Sequence, residues 1–287
     1  MIEVDNLGFS YRGAESPTLF DLDFEVLEQE VFGLLGPSGA GKSTTLNILI
    51  GLLKSYSGSV KVLGQELRDS DSRLYENIGV CFELPNHYLR LTARENLNYF
   101  RSLYTQPTHT PEEVLGWVGL EEDIDRRVAE FSKGMKTRLN FARSVIHQPQ
   151  MLFLDEPTGG LDPVTARVIK QLILDLRQRG TTVLLSTHDM TVADQLCDRL
   201  AFIAEGRIST IDEPEALKRQ YGRRSLKVSY LDGSQQEAEQ EFALDGIGHN
   251  QAFLDLLKST ARIETIHSQE TTLEQVFVDV TGRELSR

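Results

Sequence analysis

The residues Gly36, Pro37, Ser38, Gly39, Ala40, Gly41, Lys42 and Ser43 follow the spacing G-x-x-x-x-G-K-S, and Thr44 comes next. Closely spaced glycines let successive backbone N–H groups curl around phosphate oxygens. The run lies between an apolar stretch, VFGLL, and a helix expected from Lys42 to Leu53. The N-terminus of that helix adds a dipole that favours an anion. In this setting Lys42 is expected to reach the β- and γ-phosphates of a nucleotide, and the Ser43 hydroxyl to ligate Mg²⁺. A glycine-rich turn with no ligand is the plain alternative, and the strand before and helix after the run argue against it.

Well downstream, four apolar residues, Met151 to Leu154, lead into Asp155 and Glu156. Such a run reads as a buried strand that delivers two carboxylates at its C-terminal edge, where open α/β sheets bind ligands. Asp155 is expected to hold Mg²⁺, directly or through water, and Glu156 to orient and polarise an attacking water. Alone, Asp-Glu before a proline says little. After a phosphate loop, it points to phosphoryl transfer to water.

The elements that must position these groups read as follows. Residues 1–35 are strand-like, with Leu22, Phe24 and Val26 at alternate positions of the second run. GSVKVLG and IGVCF are the next strands. From Thr92 to His147 the pattern is helical: Thr92 with Glu95, and Thr110 with Glu113, form capping boxes, the second with Pro111 at the first helical position. Leu97, Phe100, Leu103 and Tyr104 share one face of the first of these helices. A third opens near Ser132 and stops before Pro149. MLFLD (151–155) and TTVLLST (181–187) resume the sheet, joined by a helix that starts at Asp162-Pro163 and ends at Gly180. A hairpin turns at Glu205-Gly206. After Tyr221-Gly222 come a strand SLKVSYLDG, a polar run QQEAEQE, a helix NQAFLDLLKST, a strand ARIETIHS and a last helix capped by Thr271 and Glu274 that buries Leu273, Val276 and Phe277.

The whole is α/β: a P-loop NTPase core with an N-terminal antiparallel β region, an inserted helical subdomain at about 84–147, and a small C-terminal α/β appendage. The expected division is 1–221 and 222–287. Hydrophobic residues at 40% and charged residues at 25% leave material for a packed core and argue against wholesale disorder. A net charge of −13 works against a phosphate-neutralising nucleic-acid surface. The densest apolar run, Asn47 to Leu53, is far short of the roughly 20 residues a spanning helix needs. The N-terminal MIEVDNLGFSY has no secretory pattern, so a cytoplasmic location is expected. The 2 cysteines, Cys81 and Cys197, lie in apolar contexts without metal-ligand spacing and are expected to be inert buried thiols.

With Phe131, Ser132, Lys133, Gly134 and Met135 just upstream of the Asp-Glu strand, the sequence resembles the ATP-binding cassette (ABC) ATPases over about residues 2–221. The segment is similar to the family's signature LSGGQ, with Phe131, Lys133 and Met135 as departures, in a form like that of drug and lipid-type exporters. The resemblance implies that Ser132 and the Gly134 backbone, at a helix N-terminus, bind a γ-phosphate. Without it Ser132 is a plain N-cap. Lys133 either adds positive charge near the phosphate or points to water. The resemblance also implies that Tyr11 stacks on adenine, against core packing as the alternative. It implies that Asp162 communicates across a dimer, a role compatible with its being an N-cap, and that His188 contacts the γ-phosphate. The family's metal-sensing glutamine is replaced here by Glu83, an oxygen donor whose charge would alter the site.

The partners implied are a second copy in a head-to-tail dimer that sandwiches ATP and Mg²⁺, and a separate transmembrane subunit at the cytoplasmic face of the membrane. The groove near residues 83–100 would receive that subunit. Two non-transport readings compete. A DNA-repair-like ATPase needs a long coiled coil where this chain has a compact helical region, and a translation-factor-like one needs tandem cassettes and a basic linker. Leu273 to Phe277 with Thr281 to Leu285 resembles the C-terminal motif of drug-resistance exporter ATPases. That helix either docks on the twin subunit or caps its own domain.

Overall fold

Alternating apolar residues fold the N-terminal stretch into an antiparallel sheet. Strands β1 (Ile2–Phe9) and β2 (Leu19–Val26) pair with Ile2 opposite Val26 and Phe9 opposite Leu19. β3 (Val31–Leu35), buried at all its positions, leads through the glycine loop into α1 (Lys42–Leu49). β4 (Ser57–Val62) and β5 (Gln65–Glu66) complete the first sheet, ordered β2–β1–β4–β5. α1 ends earlier than the apolar pattern suggested: Gly51, at φ +77°, turns the chain out of the helix and leaves Leu52 exposed. This computed structural model describes residues 1–287 apart from 223, 224, 233, 235, 260, 261, 270 and 283–287.

β6 (Ile78–Cys81) opens the second sheet, and the helical segment follows. α2 (Ala93–Arg101) and α3 (Pro111–Trp117) both start with complete capping boxes, Thr92 with Glu95 and Thr110 with Glu113. Leu97 is buried, but α2 stops at Arg101, so Leu103 falls beyond it and is 59% exposed, outside the apolar face expected for it. α4 (Lys133–Val145) is capped by Ser132. Then come β7 (Met151–Asp155), α5 (Pro163–Gln178), β8 (Thr182–Thr187), α6 (Met190–Leu196), β9 (Arg199–Ala204) and β10 (Arg207–Asp212). The sheet is ordered β10–β9–β3–β8–β7–β6, parallel except for the β9–β10 hairpin. The register sets Leu35 opposite Thr187 and Asp155 opposite Ser186, so β3, β7 and β8 end at one edge. Between the two sheets lies a core that includes Phe24 and Phe32, whose rings stack 5.7 Å apart, with Leu34, Leu46, Phe153 and Leu184. Among the described residues no helix is long and apolar enough to cross a membrane.

The chain divides into two compact units, Met1–Pro214 and a second that begins at Glu215. The division falls at the start of α7 (Pro214–Tyr221), ahead of the compositional shift after Tyr221-Gly222. The second unit contains β11 (Ser225–Leu231), β12 (Glu237–Ala243), α8 (Gln251–Ser259), β13 (Arg262–Gln269) and α9 (Leu273–Thr281), with an antiparallel sheet ordered β12–β11–β13. Val228, Phe242 and Leu256 form its small core. β12 is the run read from sequence only as polar; as an edge strand it buries just Phe242, so it shows no apolar alternation. α9 buries Leu273, Val276 and Phe277 as expected, but Thr272, not Thr271, is its N-cap and accepts from the Gln275 N–H. The end of the tail motif, Arg283 to Leu285, lies outside the described residues.

Candidate functional site

The glycine loop takes its shape from constraints that only glycine meets. A Cβ on Gly36 would stand 2.1 Å from the Ile203 carbonyl oxygen, and Gly41 sits at φ +111° as the N-cap of α1. Gly41 has no side chain to cap the helix, so the first-turn N–H groups of α1 have no side-chain partner there. Lys42 is buried, and its Nζ donates to the carbonyls of Gly36 at 2.7 Å and Pro37 at 3.1 Å. Burial lowers the Lys42 pKa, while the negative charges of Glu156, Asp155 and Glu83 act to raise it. A buried lysine facing three carboxylates is an electrostatic arrangement that an incoming polyphosphate would enter along one cationic contact.

Asp155 and Glu156 are fixed by the neighbouring strand. The Ser186 hydroxyl donates to Asp155 Oδ1. Glu156 lies at φ +48°, a left-handed conformation that costs a non-glycine residue roughly 1–2 kcal/mol. This carboxylate accepts from the Thr187 hydroxyl at 2.9 Å and from the His188 backbone N–H at 3.0 Å, and its Oε1 lies 2.6 Å from His188 Nδ1. Ser186 and Thr187 were not singled out in the sequence; the available signal was polar residues closing an otherwise apolar strand.

Lys42, Ser43, Thr44, Glu83, Asp155, Glu156 and His188, with Ser38, Gly39 and Gly41, line one cleft of about 320 Å³. Thr18 also lines it, a residue with no motif to betray it. Tyr11 stands beside the loop, its hydroxyl 3.1 Å from Thr44 Oγ1 and its ring edge-on to Phe9. Tyr11 is 45% exposed, which removes core packing as its role. Ser132, Lys133, Gly134 and Met135 do not line the cleft. Ser132 caps α4, its Oγ accepting from the Met135 N–H at 3.2 Å. Lys133 lies against Gly160, whose added Cβ would come within 3.1 Å of its Nζ, so the side chain is laid on the loop before α5 and not simply extended into water. Asp162 caps α5 by accepting from the N–H groups of Val164 and Thr165, and these bonds with the Thr165 hydroxyl hold its carboxyl below the usual range. Cys81 and Cys197 are free and buried, and burial raises both thiols, Cys81 to about 12.

A strand–glycine loop–helix unit facing a carboxylate-tipped strand across one cleft defines a P-loop nucleoside triphosphatase. The comparisons refine this class. The model of the ABC transporter family matches residues 19–159, and that of the fluoroquinolone efflux ABC transporter C-terminal domain matches residues 224–270. A fluoroquinolones export ATP-binding protein of Mycobacterium tuberculosis (strain H37Rv) is 50% identical over 287 residues, covering 100% of this chain and 95% of that protein. The Nod factor export ATP-binding protein I of Rhizobium johnstonii is 33% identical, covering 100% and 97%. A dimeric post-hydrolysis ATP-binding cassette bound to ADP and Pi has a TM-score of 0.68 at 28% identity, covering 74% of this chain and 98% of that one. The chain therefore belongs to the ABC transporter family, as an ATP-binding subunit that hydrolyses ATP. The DNA-repair-like and translation-factor-like readings are set aside.

Proposed function

We propose that two copies of this chain close head to tail on two ATP molecules, and that closure and its reversal by hydrolysis drive a separate membrane subunit at the cytoplasmic face. The carrying observation is the composition of the cleft: it gathers Lys42, Ser43, Glu83, Asp155, Glu156 and His188 but none of Ser132 to Met135. A second copy supplies the missing serine-capped helix end, by a two-fold operation that repeats the contact at both sites. Lys42 binds the β- and γ-phosphates, Tyr11 stacks on the base, and Ser132 with the Gly134 backbone closes on the γ-phosphate from the partner. Asp162 lies on the loop that meets the partner.

Ser43, Asp155 and Glu83 offer hydroxyl and carboxylate oxygens in one cleft, the hard donor set that suits Mg²⁺. Among the described residues no group of three or more His, Cys, Asp or Glu is placed to cage a metal, and an ion that completes its shell with water and substrate phosphates needs none. When bound, Mg²⁺ neutralises charge on the phosphates. Glu156 accepts a proton from the attacking water, and His188, now paired with Glu156, turns to the γ-phosphate when nucleotide enters. The 50% identical relative named for fluoroquinolones export supports export of drugs of that class.

The test is Glu156→Gln with ATP. Phosphate release is expected to fall by roughly 10²- to 10⁴-fold, the range for a lost general base, and gel filtration should show a persistent ATP-bound dimer. A variant that stays monomeric with ATP overturns the reading.

A further inference from the structure

Helix α4 opens on a lysine where the family resemblance implies a glycine. Lys133 is the first residue of the helix, and no acidic residue stands in its first turn. A cation at a helix N-terminus works against the helix dipole, and among the described residues no carboxylate pairs with Lys133 to offset this. The usual form of the signature has no side chain at this position, so what the lysine does has to be read from its contacts.

The stem of Lys133 is seated on Gly160. A Cβ built on Gly160 would stand 3.1 Å from Lys133 Nζ, 3.3 Å from Cε and 3.8 Å from Cδ, so the outer half of the side chain runs over bare backbone. Gly160 is at φ +71°, a conformation that glycine adopts freely and other residues rarely, which keeps the seat clear. One residue along, a Cβ on Gly134 would come 3.8 Å from Leu161 Cδ2, a second contact between α4 and the same loop. The first turn of α4 is itself fixed: Ser132 Oγ accepts from the Met135 N–H, and the Thr137 hydroxyl donates to the Lys133 carbonyl at 3.2 Å.

The loop leads directly back to Glu156. The Gly159 N–H donates to the Glu156 carbonyl at 2.9 Å, and the Leu161 N–H to that of Thr158 at 3.2 Å. A Cβ on Gly159 would lie 3.2 Å from the Glu156 carbonyl oxygen and 3.5 Å from the Glu156 Cβ, so the loop is folded against that residue. A left-handed backbone at a non-glycine residue persists only where its surroundings over-determine it, and Glu156 is at φ +48°. Thr187 and His188 hold its carboxylate; the loop holds its backbone.

We propose that Lys133 is a positioning residue for Glu156. Its alkyl stem clamps the loop at Gly160, and the loop keeps the strained Glu156 backbone in the conformation that presents its carboxylate to the cleft. The ammonium group supplies no charge to a phosphate in this role. The proposal rests on the assignment of Glu156 as the proton acceptor.

Steady-state phosphate release by the full-length chain, measured over a range of ATP concentrations, tests it. Lys133→Ala is expected to lower kcat by about tenfold, inside the roughly 10²-fold that a 1 Å misplacement can cost, and to leave KM for ATP unchanged because binding is not touched. Lys133→Met keeps the length of the stem and discards the charge, and should retain most of the wild-type kcat. Since Lys133 acts through Glu156, Lys133→Ala should cost nothing further in a Glu156→Gln chain. Should Lys133→Ala not fold, Lys133→Ser takes its place in every comparison. Three results overturn the proposal: Lys133→Ala at the wild-type kcat, Lys133→Met as slow as Lys133→Ala with Lys133→Arg active, or a full additional loss in the Glu156→Gln chain. A slow Glu156→Gln chain beside an unaffected Lys133→Ala chain removes the clamp alone, whereas Glu156→Gln at the wild-type rate removes the assignment of Glu156 and the clamp with it.

Discussion

The carboxylate proposed to take the proton is held in a strained and occupied state. Glu156 adopts φ +48° and spends both oxygens on Thr187 and His188, so in the proposed mechanism an entering γ-phosphate competes for His188 before the carboxylate is free to take a proton. Glu83 adds a negative charge to the same cleft, where the family resemblance implies a neutral glutamine. Ligand charge is the main lever on affinity for hard cations, so Glu83→Gln should raise the Mg²⁺ concentration for half-maximal hydrolysis by about 3- to 30-fold. A Mg²⁺ titration of phosphate release measures this; an unchanged midpoint and rate would mean that Glu83 does not touch the metal. Gly36 is the steric counterpart. A methyl group there collides with the Ile203 carbonyl at 2.1 Å, and forcing atoms into a packed site costs typically 1–3 kcal/mol. Gly36→Ala should therefore lower the melting temperature and abolish the upward shift that ATP produces in the wild-type chain.

Helix α4 holds the segment that follows β6 along its length. Its Ser132 end is the proposed closing group for the partner's nucleotide, and farther along Asn140 donates to the Phe82 carbonyl at 2.8 Å and Arg143 to that of Asn86. The Lys136 carbonyl accepts from His87. The segment that carries Glu83 is thus fastened to the signature helix by side chains from both. Burial pushes His87 down to about 4 from its usual 6.5. Between those values the unfolded chain binds a proton that the native chain refuses, so stability falls as pH drops from 6.5 to 4, by up to about 3 kcal/mol at the lower end. His147, also lowered by burial, acts in the same direction. Denaturant midpoints across this window should slope less steeply in His87→Gln than in the wild-type chain. Both capping boxes of the helical segment were legible because donor and acceptor lie three residues apart. The α4 fastening was not: it joins residues far apart in sequence, and no spacing rule announces a histidine that meets a carbonyl across a loop. β12 escaped for the opposite reason, since an edge strand with one buried residue looks like a connection. Most of the residues that line the cleft were readable, because the glycine spacing and the carboxylates at a strand end are local patterns; Thr18 lines it with no motif, and Ser186 and Thr187 reach its carboxylates from the neighbouring strand.

At the scale of the whole molecule, the cleft that the phosphate loop lines holds no residue from the serine-capped end of α4. The proposed association on ATP would bring the two together, and a covalent reporter reads it directly. Ser38 lines the cleft and Ser132 caps α4, and both are exposed. Replacing both with cysteine places one thiol at each half of the proposed composite site. The native Cys81 and Cys197 are buried, with thiols raised by desolvation, so they form little thiolate and contribute little background. Under mild oxidation with ATP, in a chain that also carries Glu156→Gln to prevent hydrolysis, Ser38→Cys with Ser132→Cys should give a disulfide-linked species of twice the chain mass on a non-reducing gel. Without nucleotide, or with either cysteine alone, the linked species should be minor. A product that keeps the monomer mass while losing both thiols would place loop and cap together within one copy, and the head-to-tail dimer would have to be abandoned.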